Sequence, residues 1–172
     1  IKWLIDQLQS SRKQIAKHGL KLVKSGSVIM THCHSGEALS IIEAAKRASK
    51  RVSVIATLTE PAHQGIRTAK ELRDAGIPVT LIDDNAIGFF MPQADFVLTG
   101  SDAMRREGNV NKIGTLVLAL TAAAHSKPYY VAADMFKLDR RKTLVIEERP
   151  PGEVWHPIKG VKIRDPAFDV TP

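Results

Sequence analysis

The stretch VLTGSDAMRREGNVNKIGTLVLAL, residues 97–120, decides the fold. Its start completes a short apolar run, DFVLT at 95–99, which predicts a buried strand. Gly100 then opens a polar loop, and apolar residues recur further on at helical spacing, which predicts a helix over 112–125 with Lys112 in its first turn. Open sheets built from such strand–loop–helix units bind ligands in the loops that leave the carboxyl ends of the strands.

Three side chains of this stretch carry chemistry: the Asp102 carboxylate, the Asn111 amide and the Lys112 ammonium. A lysine in a first helical turn opposes the helix dipole, so its position favours an anionic partner. A structural role is an equally good interpretation, because Asn111 is a suitable N-cap and Asp102 can brace the loop.

The rest of the chain repeats this alternation of strand and helix. The other strands are predicted at 27–30, 51–56, 78–83 and 128–133, with a candidate sixth at 143–146. Helices are predicted at 2–24, 37–49 and 66–75, with a short one at 85–91, and from residue 147 a Pro-rich, irregular tail. Continuous apolar strands are typical of buried parallel sheets. The sequence predicts an α/β, Rossmann-like, doubly wound, mostly parallel sheet with helices on both faces, preceded by an N-terminal helix.

Composition excludes several classes of protein. The 172 residues, 44% apolar and 25% charged, are those of a globular chain with one sizeable core. A single cysteine, no secretory signal and no apolar run of membrane-spanning length predict a cytoplasmic protein without a membrane partner. The net charge of +7 permits an anionic partner, but the basic residues are dispersed and no nucleic-acid-binding signature is present, so nucleic acid is a minor hypothesis.

The loop after the first strand, THCHSGE at 31–37, lacks the glycines of a dinucleotide site, and the chain has no Walker A sequence, so we expect no cofactor. Ser35, Gly36 and the backbone N–H groups that follow can still hold a phosphate at a helix start. Metal is disfavoured, because adjacent residues such as His32, Cys33 and His34 rarely ligate one ion.

Cys33, between two imidazoles at the head of a helix, is predicted to have a lowered pKa, as in a nucleophile or proton carrier. The alternative is a small buried residue. Gln64 and Lys137 follow other strands, and each is a candidate to bind a ligand. The alternatives are that Gln64 braces its turn and that Lys137 is a solvated surface lysine. Residues 83–85 are expected to cap a helix. A thiol, a carboxylate, ammonium groups and amides at four strand ends fit proton transfer on a phosphorylated small molecule.

Five blocks carry a family resemblance, in order and spacing: THCHSGEAL, EPAHQGIRTAKEL with AGIPVTLIDDNA, GSDAMRREGNVNKIGT, KPYYVAADMFKLD and DPAFDVTP. They resemble the superfamily that unites the alpha, beta and delta subunits of eukaryotic translation initiation factor 2B with methylthioribose-1-phosphate isomerase and archaeal ribose-1,5-bisphosphate isomerase. The resemblance covers the whole chain, and NKIGT and FDVTP are its most specific parts.

The resemblance implies an aldose–ketose isomerase for a 1-phosphorylated ribose, or its C-terminal domain. It assigns Asp102 an acid/base role at the sugar oxygens and Cys33 a companion proton step, with the division of labour left open. The substrate-binding residues that it implies are Ser35, Gly36, Glu37, Gln64, Asn111, Lys112 and Lys137. Regulatory subunits generally lack the cysteine–aspartate pair, which favours the enzyme.

Two departures favour an alternative, a non-catalytic subunit that acts through protein contacts with an initiation factor 2 subunit. Glu60 stands where the enzymes have an arginine, and residues 1–25 match only the last helix of an N-terminal helical domain, with 26–172 as the Rossmann-like domain. The resemblance also implies homodimers or homohexamers. Four residues of the short helix either supply a dimer contact or belong to the core: Ile87, Phe89, Phe90 and Met91.

Overall fold

The computed structural model describes residues 2–172. Its α-helices are α1 Lys2–Gly19, α2 Gly36–Arg47, α3 Gln64–Asp74, α4 Ile87–Phe90 and α5 Thr115–Ala124. Its strands are β1 Ser27–Thr31, β2 Val52–Thr57, β3 Val79–Ile82, β4 Phe96–Thr99, β5 Ala103–Arg105, β6 Gly108–Lys112, β7 Tyr129–Val131 and β8 Phe168–Thr171. Within these residues no helix is both long and apolar enough to cross a membrane.

The central sheet has five parallel strands in the order β3-β2-β1-β4-β7. Successive strand residues point to opposite faces, so each strand feeds two core clusters. On one face Ile29 and Leu98 pack with α2 and α3, and on the other Met30 and Val97 pack with α4 and α5. The predicted Rossmann-like, doubly wound sheet with helices on both faces and a preceding helix is therefore confirmed.

The order in which strands are added to the sheet reverses between β1 and β4, which are parallel neighbours although β2 and β3 lie between them in sequence. The chain winds outward from β1 through β2 to β3, and outward from β4 to β7 on the other side. The loops after β1 and β4 consequently diverge and leave a crevice at their carboxyl ends, where doubly wound folds bind ligands.

A second, antiparallel sheet, β5-β6-β8, stands beside this crevice and corrects one prediction. Asn111 and Lys112 belong to β6, and α5 begins only at Thr115, so Lys112 does not lie in a first helical turn and Asn111 is not an N-cap. Local periodicity missed this strand because its partner, β8, comes from the end of the chain.

Three other boundaries differ from prediction. The first helix ends at Gly19 rather than at residue 24. Residues 143–146 form no strand, and the tail predicted to be irregular ends in the regular strand β8. In the short helix, Ile87 and Met91 are core residues, whereas Phe89 is 76% exposed. The expected cap at Asp83 is confirmed, since its side chain accepts from Asn85 N.

Candidate functional site

A pocket of about 230 Å³ opens at the crevice between β1 and β4. The loops after β1, β4 and β7, the start of α3 and the end of β6 contribute its walls. All nine candidate residues line it: Cys33, Ser35, Gly36, Glu37, Gln64, Asp102, Asn111, Lys112 and Lys137. The topology thus gathers groups that are far apart in sequence.

Cys33 stands at the sharp turn that leaves β1, with a left-handed φ of 64°. Its N–H donates to Thr59 Oγ1 at 2.9 Å and its carbonyl accepts from Thr68 Oγ1 at 2.8 Å, which fixes the turn from both sides. The thiol donates to Gln64 Oε1 at 3.1 Å. Since an amide oxygen only accepts, this contact holds the thiol in its protonated form.

The prediction of a lowered pKa for Cys33 is wrong. Burial raises the pKa of the Cys33 thiol above its ordinary value, and the Asp102 carboxylate raises it further. A backbone N–H at His34 and the Lys112 ammonium oppose this only in part. The thiol is therefore suited to donating and accepting a proton rather than to acting as a permanently ionised thiolate.

The flanking imidazoles hydrogen-bond to other groups and neither ring changes the pKa of the thiol, which explains the error. His32 Nε2 donates to the Ile113 carbonyl at 2.8 Å, so this nitrogen carries the proton of the neutral ring. The other ring nitrogen, Nδ1, accepts from the Thr57 hydroxyl at 2.7 Å. Burial lowers the pKa of His32, which keeps the ring neutral. His34 turns the other way and donates from Nδ1 to Thr68 Oγ1 at 3.1 Å.

Asp102 lies in the loop between β4 and β5, where its N–H donates to the Val110 carbonyl at 2.9 Å. Loss of surrounding water raises the pKa of the Asp102 carboxyl, while the ammonium groups of Lys137 and then Lys112 pull it down. A carboxyl with a raised pKa and cations beside it is suited to exchanging protons with a bound ligand.

Lys112 ends β6 and is 4% exposed, and its Nζ lies 5.7 Å from the centre of the Phe168 ring. Among the described residues it has no carboxylate in ion-pair contact, so its charge is directed at the pocket. The neighbouring Asn111 is held by Thr115, whose Oγ1 accepts from Asn111 Nδ2 at 3.0 Å. Gly114, at a left-handed φ of 99°, allows the sharp turn from β6 into α5.

An ion pair and hydrogen bonds made by Arg105 hold the segment that carries Lys137. The Arg105 guanidinium, with a 1% exposed side chain, donates to Asp139 Oδ2 at 2.6 Å and to the Arg141 carbonyl at 2.7 Å. The Asp139 N–H also donates to the Met104 carbonyl at 2.9 Å. These contacts join the hairpin after Asp102 to the loop of Lys137.

The start of α2 forms the wall below the pocket. Ser35 caps the helix, since its Oγ accepts from Ala38 N at 3.2 Å, and the same hydroxyl donates to Glu37 Oε2 at 3.1 Å. A side chain at Gly100 would collide with Ser35, so the glycine lets the end of β4 approach this helix.

Gln64 reaches Cys33 because the start of α3 packs tightly on the end of β2. A methyl group at Gly65 would collide with the Thr57 carbonyl oxygen, which only a glycine avoids.

Glu60, which reverses the charge of the arginine expected from the resemblance, does not line the pocket. Its carboxylate lies 2.9 Å from His63 Nε2 and both side chains are about half exposed.

Six lining residues lie outside the candidate set, and two of them, Arg149 and Phe168, add a charge and an aromatic ring to the wall. Phe168 lies in the quoted FDVTP block, but nothing in its type indicated a site. Arg149 lies in a segment predicted to be tail, without a local signal of function. Within residues 2–172 no three His, Cys, Asp or Glu side chains are placed to hold a metal ion.

The chain is similar to two named isomerases. It is 44% identical to ribose 1,5-bisphosphate isomerase of Archaeoglobus fulgidus, over 98% of this chain and 56% of that protein. It is 43% identical to methylthioribose-1-phosphate isomerase of Trichlorobacter lovleyi, over 93% of this chain and 53% of that protein. The chain thus spans about half the length of these relatives.

A solved structure shares the fold. The Pyrococcus horikoshii OT3 translation initiation factor eIF-2B superimposes with a TM-score of 0.88 at 35% identity, over 98% of this chain and 61% of that one. Residues 1–172 match the sequence profile of a single family throughout. The doubly wound sheet, the pocket at its reversal point and these likenesses together place the chain in the Initiation factor 2 subunit family.

Proposed function

We propose that the full-length protein is an aldose–ketose isomerase that acts on a 1-phosphorylated ribose. One observation supports this best: the thiol of Cys33 and the carboxyl of Asp102 line one pocket, and Lys112 lies close enough to lower the pKa of both. The named isomerases among the relatives support the same reaction class.

The proposed reaction needs two proton-transfer groups and no redox cofactor. One group gives a proton to the ring oxygen as the bond from that oxygen to C1 breaks. The hydrogen on C2 moves to C1, and the C2 hydroxyl loses its proton to become the ketone. Hydrogen and electrons therefore move within the sugar, and the enzyme only lends and recovers a proton. We assign Asp102 to the sugar oxygens and Cys33 to the companion proton step.

The remaining candidate residues are proposed to bind the substrate. Lys112 and Lys137 supply positive charge for phosphate, Asn111 and Gln64 supply amides for hydroxyl groups, and the start of α2 with Ser35 and Gly36 supplies N–H groups. Glu37 accepts from a sugar hydroxyl.

The lining favours ribose-1,5-bisphosphate over methylthioribose-1-phosphate. Among the described residues that line the pocket, Phe168 is the only large apolar side chain, and Lys112 lies over its ring. A thiomethyl group gains most from apolar surface, whereas a second phosphate gains from cations.

Phosphorus and proton NMR of the full-length gene product, offered each sugar in turn, tests this function. We expect a new ketose signal, strongest with ribose-1,5-bisphosphate and absent with Cys33→Ser. A folded protein that converts neither sugar would contradict the proposal.

Self-association, as a homodimer or a higher oligomer such as a homohexamer, is a further part of the proposal. The adjacent helices α4 and α5 leave apolar side chains in solvent, with Phe89 at 76%, Val117 at 55% and Leu120 at 61% exposure. Light scattering on a Val117→Glu, Leu120→Glu variant tests this surface, with Val145→Glu as the control at another exposed valine. A wild-type monomer would contradict it.

The second candidate function is a non-catalytic subunit that contacts an initiation factor 2 subunit, favoured by the likeness to the Pyrococcus horikoshii structure. For either function we propose that residues 1–25 form the end of a helical domain, since α1 leaves the apolar side chains of Trp3 and Ile5 exposed. We also propose that the protein is located in the cytoplasm. Co-purification with an initiation factor 2 subunit, without sugar turnover, would favour this candidate.

A further inference from the structure

Arg149 is a basic residue in the pocket wall to which neither the sequence nor the resemblance assigned a role. Its backbone is fixed by a short antiparallel ribbon. The Arg149 N–H donates to the Asp165 carbonyl at 2.8 Å, and the Ala167 N–H donates to the Glu147 carbonyl at 2.8 Å. This ribbon runs directly into β8 and Phe168, over whose ring Lys112 lies. Arg149 is thus tied to the strand that supports a candidate substrate-binding lysine.

The guanidinium of Arg149 is poorly satisfied by the protein. Its Nε is shielded from solvent and has no hydrogen-bond partner among the described residues. The neighbouring carboxylate oxygens, Glu147 Oε1 and Glu153 Oε2, lie 3.5 and 3.8 Å from its nitrogens. Both contacts are too long for charge-assisted hydrogen bonds.

Two other arginines, Arg105 and Arg164, have guanidinium groups that make short hydrogen bonds with the protein. Arg105 donates to Asp139 at 2.6 Å and to the Arg141 carbonyl at 2.7 Å. Arg164 makes a two-pronged contact with Glu148 at 2.6 and 2.7 Å. Neither of them lines the pocket, whereas Arg149 does. Among the described residues Arg149 makes ion pairs of 3.5 Å through Nε and 3.8 Å through Nη1 but no side-chain hydrogen bond, so of these three arginines it is the one whose donors are not taken up by short protein contacts.

The chemistry of the wall defines the ligand. Arg149 brings the cations that line the pocket to three, with Lys112 and Lys137, against the two lining carboxylates of Glu37 and Asp102. The carboxylates of Glu147 and Glu153, which pair with Arg149, do not line the pocket. A guanidinium presents its donors in a planar fork that matches two oxygens of a phosphate. A phosphorylated ligand would meet three cations in this wall and could accept the short hydrogen bonds that Arg149 does not make with the protein.

We propose that Arg149 binds a phosphate group of the substrate, as the third cation of the pocket. The proposal rests on the proposed function for the identity of the substrate, but it is testable without turnover. Lys112 and Lys137 supply point charges near the proton-transfer pair, and Arg149 supplies two-pronged recognition of phosphate oxygens.

The test compares Arg149→Met and Arg149→Lys with a matched control, Arg47→Met, which removes an equal charge from an exposed arginine paired with Glu43 on α2. For ribose-1,5-bisphosphate we expect Arg149→Met to raise KM about tenfold or more and to change kcat by less than about threefold. Arg149→Lys should lie between wild type and Arg149→Met, and Arg47→Met should match wild type. The rise of KM with salt should be shallower in Arg149→Met, a change that structural damage alone does not produce.

Titration with inorganic phosphate, followed by phosphorus NMR, separates this proposal from the proposed function. Weaker phosphate binding by Arg149→Met, with Arg47→Met unchanged, supports the Arg149 site even if wild type converts neither sugar. Equal phosphate affinity and equal KM in wild type and Arg149→Met would overturn it, as would the absence of phosphate binding by wild type. If Arg149→Met does not fold, the same comparison is made with Arg149→Lys, and unchanged values there would overturn the proposal.

Discussion

The Cys33 thiol donates a hydrogen bond to Oε1 of Gln64 across 3.1 Å. This contact joins the turn after β1 to the first residue of α3, and it requires the proton to stay on sulfur. Burial favours the same neutral form. The thiol is therefore expected to act as a proton donor and acceptor toward the sugar rather than to form a covalent bond with it.

The protonation of Cys33 gives the first prediction. Iodoacetamide alkylation followed against pH should show a thiolate only above the ordinary thiol pKa of 9.0, because burial disfavours the charged form. Asp102→Asn should lower this pKa, since the carboxylate raises it, and Lys112→Met should raise it, since the ammonium lowers it. The unfolded protein, which titrates at the ordinary value, is the control. A midpoint below that value in the folded protein would contradict the interpretation.

Lys137 should set the acid limb of the activity profile. As the acceptor of the C2 hydroxyl proton Asp102 must be ionised, and the Lys137 ammonium lowers the pKa of its carboxyl. Lys137→Met should therefore raise that pKa and move the acid limb of kcat/KM to higher pH. KM should rise as well, because a phosphate contact is lost. Lys127→Met, whose Nζ donates to the Pro92 carbonyl outside the pocket, serves as the matched lysine control. An acid limb that moves equally in both variants would show that Lys137 has no special relation to Asp102.

Gly65 should be far less tolerant of alanine than Gly88. A methyl group at Gly65 meets the Thr57 carbonyl, whereas nothing lies within 4 Å of one at Gly88. We expect Gly65→Ala to lower the free energy of unfolding by about 1–3 kcal/mol, as overpacking does. It should also reduce turnover by displacing Gln64. Urea denaturation measures the stability, and Gly88→Ala should be neutral or slightly stabilising. Equal stability of the two variants would contradict the close packing of α3 on β2.

Arg105 should matter for both stability and substrate binding. Arg105→Met removes the buried guanidinium from Asp139, which keeps only its contacts with the exposed Arg141, and it weakens the hold on the loop that carries Lys137. The midpoint of thermal unfolding should therefore fall and KM should rise. Arg73→Met, which breaks an exposed pair with Asp74, should change neither. The KM effects of Arg105→Met and Lys137→Met should not add, because both act through the Lys137 ammonium. Full additivity of the KM effects in the double variant would mean that the Arg105 contacts contribute to stability alone.

The parallel sheet could be predicted from sequence because each of its main strands is a short continuous apolar run that is visible in the local sequence. The apolar runs that became β1, β2 and β4 are buried on both faces. The first two are each followed by a polar loop and an amphipathic helix. The candidate residues at their ends could be selected for the same reason, since parallel strands meet at one edge of the sheet.

The antiparallel sheet could not be predicted from local pattern. The strand β6 reads GNVNK, a mostly polar segment whose regularity comes from pairing with β8 at the other end of the domain. The prediction of a lowered pKa for Cys33 failed because it assumed that the adjacent His32 and His34 act on the thiol, whereas their rings hydrogen-bond to Thr57, Ile113 and Thr68. Arg149 was missed because only the pairing of residues 147–149 with 165–167 brings it to the pocket.

Turnover of ribose-1,5-bisphosphate by full-length wild type, Cys33→Ser and Asp102→Asn, at saturating substrate and with binding measured in parallel, is the decisive comparison. We expect the wild type to form the ketose, and each variant to lose about 100-fold or more in kcat while still binding the sugar, since proton transfer is removed and the phosphate contacts remain. Wild-type turnover in either variant would contradict the assignment of Cys33 and Asp102 as the proton-transfer pair.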